Sequence, residues 1–274
     1  MAQLTAPVTG HGRFEGQAGL LSQIAMVTRR NLTVIFRTPQ ALLPPLIISV
    51  FFLVIYESTL GEAAGFLPGL SGNSYLGFIL PLSLVSSALS GSGLAAQNLV
   101  RDIETGYFDK LLLTPVSRTA LLLGPILAGG FILGLQAIFV IAVALLMGLE
   151  SATGLAGLLA VIGLAVLLGT GFAGFTVSAA LGSGNAAVTQ AASFLFFPLT
   201  FLTASFVPLE LLSGWLKAAA RLNPITYVLE AMRSLLNEGW NMTLIWQGVL
   251  ACLVLAVAMY ALAVYALRGR TRRK

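Results

Sequence analysis

A chain of 274 residues with 57% hydrophobic and only 9% charged side chains lies outside the range of soluble domains, which carry about 25% charged residues. Its mean hydropathy is +0.93, and a soluble fold of this size has no core large enough to hide that much apolar surface. A small aqueous enzyme, a nucleic-acid-binding domain and a disulfide scaffold are thereby excluded. The net charge of +5 sits at the edges of apolar blocks, as membrane topology requires.

From the N-terminus, the first twenty or so residues are polar and glycine-rich, carry no signal-peptide pattern, and include the single histidine, His11, read as a surface residue. Residues 18–38 place Leu20, Ile24, Val27 and Val34 at helical spacing, with Arg29, Arg30 and Arg37 offset from them. That spacing predicts an amphipathic helix on the inner leaflet, with an ordinary basic flank as the alternative. A helix rises about 1.5 Å per residue, so roughly 20 apolar residues cross the hydrocarbon core. Six stretches qualify: 41–60, 75–99, 119–149, 154–181, 186–207 and 244–267. The expected fold is an all-α membrane protein of six transmembrane helices. Between Arg118 and Glu210 the sole charged residue is Glu150.

Six spans put both termini on one side of the membrane. That side holds Arg13, Arg29, Arg30, Arg37, Arg101, Lys110, Arg118 and the basic C-terminal tail from Arg268 to Lys274, against Lys217, Arg221 and Arg233 opposite. The loops after spans one and three carry only acids: Glu57, Glu62 and Glu150. Cytoplasmic termini follow from the positive-inside rule. Residues 208–243, with Trp215, Tyr227 and Trp240, are too long for a turn and too short for two spans, and read as short helices at the outer interface or dipping into it.

Several motifs imitate chemistry. Gly169, Gly171 and Gly174 match the dinucleotide fingerprint, and Gly91, Gly93 and Ala96 its looser form, but both lie inside apolar helical runs without the strand and the spaced acid that the fingerprint needs. Close helix packing is the better reading, and Gly130 and Gly134 join it. Cys252, the single cysteine, reads as a small apolar packing residue. No P-loop, metal-ligand cluster or mid-span base is present in the sequence, so catalysis is not expected, and any pumping must draw its energy from another subunit.

The loop that would receive that energy runs Arg101, Asp102, Ile103, Glu104, Thr105, Gly106, Tyr107, Phe108, Asp109, Lys110, then Leu111-Leu112-Leu113-Thr114-Pro115-Val116-Ser117-Arg118. Here the chain resembles the membrane subunits of ABC-2 type exporters, in which an acid–Gly–apolar stretch ending L-L-x-T-P-V-S-R follows the second span. Ser205-Phe206-Val207-Pro208, Trp215-Leu216, Asn223-Pro224-Ile225-Thr226-Tyr227 and Glu230-Ala231-Met232-Arg233 carry a second resemblance. It departs where Ser213-Gly214 stand in place of the family's proline before the tryptophan.

The resemblance implies a tail and interfacial helix over 1–38 and a six-span permease domain over 39–274. It also implies a cytoplasmic coupling helix between spans two and three and short outer helices between spans five and six. Asp102, Glu104, Gly106, Tyr107, Phe108, Asp109 and Lys110 would meet an ABC ATPase subunit, present in two copies and carrying ATP and Mg, while this chain holds no cofactor. On elementary grounds Tyr107 and Phe108 suit an apolar groove, and Asp102, Glu104 and Asp109 suit basic residues of a partner; a solvated charged loop is the alternative. Arg29, Arg30 and Arg37 would touch the ATPase or anionic lipid.

A second permease copy would complete a path lined by Phe51, Phe52, Tyr56, Phe194, Phe196, Phe197 and Phe201, unless these rings face lipid. Asn223, Pro224, Tyr227, Glu230 and Arg233 would form an outer gate, with Glu230 and Arg233 spaced to pair on a helix. The expected function is ATP-driven export of a drug, lipid or glycolipid across a bacterial plasma membrane, without nucleic acid. An energy-independent channel or facilitator is the alternative.

Overall fold

The computed structural model describes residues 19–64, 75–195, 197–203 and 212–272, and every regular element among them is helical. His11, Arg13, Phe196, residues 205–208, Arg273 and Lys274 fall outside this set, as does the side chain of Phe197.

Helix α1 (Leu20–Phe36) leads through a short 3-10 turn into α2 (Leu43–Ala64) and the long α3 (Tyr75–Glu104). A six-residue helix, α4 (Tyr107–Leu112), joins α3 to α5 (Arg118–Leu146), and α6 (Gly154–Ser183) returns alongside. Then come α7 (Ala186–Phe194), α8 (Phe197–Phe201), α9 (Gly214–Leu222), α10 (Pro224–Arg233), a π-helical turn and α11 (Met242–Arg272). Among the described residues, α2, α3, α5, α6 and α11 are long and apolar enough to cross a membrane. The segment expected as a fifth continuous span is divided between α7 and α8. Pro198, just past the end of α7, lacks the N–H that would bond the Phe194 carbonyl.

The polar cues at the helix starts work as caps. Ser117 Oγ accepts from the N–H of Ala120 to begin α5, and Asn185 Oδ1 accepts from Ala187 and Val188 to begin α7.

The glycines that mimic a nucleotide fingerprint are packing surfaces. A Cβ on Gly130 would stand 2.6 Å from Thr170 Cγ2, and one on Gly134 2.6 Å from Val166 Cγ2, so α5 lies against α6 with no room for side chains. On the other face of α6, a Cβ on Gly171 would stand 3.0 Å from Leu255 and one on Gly174 3.1 Å from Met259, both on α11. Backbones this close gain dispersion energy that lipid tails would otherwise supply. Cys252 is fully buried in the main apolar cluster beside Leu164, in keeping with a packing role.

Candidate functional site

The connection from α3 to α5 turns on Gly106, whose φ of +69° is a left-handed conformation that side chains resist. The turn throws α4 back across the end of the bundle and splits its two aromatic residues. Phe108 is 1% exposed and sits in an apolar cluster with Leu99, Val100, Ile103, Leu122 and Leu181. It is therefore a peg into the chain's own core, and is not available to a partner's groove. Tyr107 points out, and the guanidinium of Arg30 lies 4.6 Å from its ring centroid.

Arg30 also corrects the reading of Asp102. Its two terminal nitrogens donate to the two carboxylate oxygens of Asp102 at 2.7 and 2.8 Å, a bidentate pair binding α1 to the end of α3. These hydrogen bonds hold the Arg30 guanidinium above its ordinary pKa, with partial burial opposing. Asp102 thus faces its own chain, and so does Arg30. Arg29 and Arg37 remain exposed, as do Glu104 and Lys110, while Asp109 is partly buried. Leu113, just after α4, is 88% exposed, an apolar tip that the family pattern did not single out.

Helix α1 differs from the expectation in which face does what. Val27 packs on Gly124 of α5, and Gln23 Oε1 accepts from the backbone N–H of Ser117 at 2.8 Å, with Asn31 and Ile35 buried on the same side. Of the stripe Leu20, Ile24, Val27 and Val34, Val27 thus packs on α5 and Ile24 and Val34 are partly buried, while Leu20 is exposed. At ~100° per residue, Leu21, Ala25, Leu32 and Phe36 form a second apolar strip that leaves Leu21 and Phe36 exposed.

A cavity of about 630 Å³ opens between α2, α3 and α7. Phe51, Phe52 and Phe194 line it, and Tyr56 stacks on Phe52 with centroids 5.5 Å apart. Phe201 is half exposed and stands apart from this lining. The opposite wall carries Ser86, Gln97, Gln190 and Ser193, polar residues that sequence reasoning passed over. Gln97 Nε2 donates to Gln190 Oε1 at 2.6 Å, and their helical positions, in register with Ser86 and Ser193, are the signal that would have found them.

The outer motif is woven into the bundle. Asn223 Oδ1 caps α10 through the N–H of Ile225, while its Nδ2 donates to the carbonyls of Leu199 and Leu202 at 2.8 and 3.3 Å. Pro224 occupies the first turn, where its missing N–H costs nothing. Tyr227 donates its hydroxyl to the Arg221 carbonyl. Arg233 is buried, its Nε donating to the Phe78 carbonyl at 3.0 Å and its guanidinium lying 3.6 Å from the Phe78 ring centroid. Burial draws its pKa down to about 9, with Glu230 and Tyr75 opposing, which leaves it protonated at neutral pH. Glu230 therefore acts on Arg233 through its charge, as the spacing allowed.

Among the described residues, five helices long and apolar enough to cross a membrane, an uncharged cavity and a short helix turned across one end suit a membrane transport subunit. The chain belongs to the ABC-2 type transporter family, whose profile matches residues 22–237. It is 25% identical over 244 residues to the probable doxorubicin resistance ABC transporter permease protein DrrC of Mycobacterium tuberculosis, covering 87% of each chain. It is 26% identical over 243 residues to the daunorubicin resistance ABC transporter permease protein DrrB1 of Streptomyces coeruleorubidus, covering 85% of this chain and 84% of that one.

Proposed function

We propose that this chain is the permease subunit of an ATP-driven exporter that moves an apolar or amphipathic molecule, such as a drug, lipid or glycolipid, out of the cytoplasm or inner leaflet. Two copies associate with two ATPase subunits, which bind ATP and Mg and do the hydrolysis. The broken α7–α8 segment serves as a sixth crossing, and both termini lie on the cytoplasmic side of a bacterial plasma membrane, where most of the Lys and Arg residues fall.

The observation that carries this reading is α4, pegged from inside by Phe108 and offering Glu104, Tyr107, Lys110 and Leu113 on its accessible side. An apolar tip ringed by both signs of charge is the composition of a transient protein interface. A push on α4 cannot be absorbed locally, because Phe108 and the Arg30–Asp102 pair pass it to α3, α5 and α1. The cavity supports the cargo class: rings on one wall, amides and hydroxyls on the other, and no formal charge among the lining residues.

The test is charge reversal at the residues that do not hold the bundle together. Glu104→Lys with Lys110→Glu, in vesicles carrying the permease and its ATPase, should leave insertion and ATPase binding of nucleotide intact and reduce ATP-driven cargo accumulation about tenfold or more, the loss of a few interfacial contacts. Accumulation unchanged in that variant contradicts the coupling role of α4. Cargo movement that only follows its gradient and ignores nucleotide favours a facilitator.

A further inference from the structure

Arg118 closes the T-P-V-S-R run after α4, and a coupling role for α4 leaves it without a task. It is exposed at the first position of α5, and Arg268 is exposed near the end of α11. The two line one hollow of about 260 Å³ between these helices. Among the described residues neither guanidinium forms an ion pair, and Asp102, an acid at this end of the bundle, is already held by Arg30. Both guanidinia stay protonated, so two like charges share a hollow that an anion would neutralise. The positive end of the α5 dipole adds to the same field.

The hollow changes character with depth. Leu122 lies one turn inside Arg118, and Tyr260 precedes Arg268 by about 12 Å along α11. Leu122 and Leu267 are buried and Val264 and Tyr260 half-buried, so the inner wall is apolar apart from the Tyr260 hydroxyl. Because α5 and α11 are both of membrane-crossing length, the cations stand at the hydrocarbon edge and the apolar wall lies within it. A small anion would leave that wall uncovered, whereas an anionic head on a hydrocarbon tail answers both parts. We propose that the hollow seats one anionic phospholipid from the leaflet at the α4 end of the bundle. Its phosphate lies between Arg118 and Arg268, with the Thr119 hydroxyl as a further donor, and an acyl chain runs over Leu122 and Val264 toward Tyr260. The inference needs only that α5 and α11 cross the membrane, and ATP-driven export plays no part in it.

Native mass spectrometry of the delipidated full-length chain in detergent tests this, with separate titrations of phosphatidylglycerol and phosphatidylcholine carrying the same acyl chains. The first phosphatidylglycerol should bind the wild type about tenfold more tightly than the first phosphatidylcholine. Arg118→Gln with Arg268→Gln should abolish that preference, and Arg118→Lys with Arg268→Lys should keep much of it. Arg101→Gln with Arg272→Gln, an equal loss of exposed charge from the same end, should leave the preference intact. Soluble glycerol phosphate in large excess should not release the bound lipid; release would reduce the hollow to a simple anion site and overturn the proposal. Equal affinities in the wild type, a preference that survives the Arg118 and Arg268 glutamine pair, or an equal loss in the Arg101 and Arg272 pair each overturn it as well. The wild-type comparison and the lysine pair decide the matter even where the glutamine pair folds poorly.

Discussion

Arg30 sits where three helices meet, with Asp102 of α3 in its fork and the Tyr107 ring of α4 beneath it. The pair is partly open to solvent, so either single change, Arg30→Ala or Asp102→Asn, should cost only about 1 kcal/mol of stability. The reversed pair Arg30→Asp with Asp102→Arg should recover part of what each reversed single loses, as a double-mutant cycle in thermal denaturation of the purified protein measures. Additive losses would show that the contact carries no coupling energy. The sequence displayed every member of this group but not its pairing. Arg30 and Asp102 are 72 positions apart, and nothing in either helix's periodicity ties one to the other. Phe108 was obscure for a related reason: α4 has fewer than two turns, too few for apolar spacing to say which of two adjacent rings faces inward.

At the level of elements, the bundle is organised around α6, held by small residues against α5 on one side and α11 on the other. Glycines in one chain therefore divide into two kinds. Gly130→Ala forces a methyl group toward Thr170 Cγ2 and the Val166 carbonyl, and should lower the melting temperature and the yield of folded protein. Gly163→Ala meets nothing within 4 Å and should be neutral or slightly stabilising, by up to about 1 kcal/mol from helix propensity. Paired thermal melts of the two variants decide this, and equal destabilisation would contradict it. The long helices were legible because twenty apolar residues in a row admit few alternatives, and the small-residue runs already pointed to close packing. The division between α7 and α8 was not legible, because apolar composition runs straight through it and a proline does not by itself mark a break, Pro81 and Pro125 lying inside α3 and α5. The face of α1 that packs on α5 was masked by its composition, because Gln23 and Asn31 are buried there and polar residues ordinarily mark the outside.

For the whole molecule, Ile47, Phe51 and Val54 of α2, Phe194 of α7 and the following Leu195 are all exposed, a surface that suits the second permease copy proposed above. With Cys252 buried, a single Ile47→Cys should give a covalent dimer in membranes treated with copper phenanthroline. The same change at Trp246, on the outward face of α11, should not. Cross-linking at Trp246 alone would place the contact on the other side of the bundle. Asn223 ties two of the shorter helices together. One amide side chain both starts α10 and holds the carbonyls of Leu199 in α8 and Leu202 just after it. The start of α10 cannot move while the end of α8 stays still unless these two buried hydrogen bonds break. A shift of α10 and a shift of the chain around Leu199 and Leu202 are then a single event.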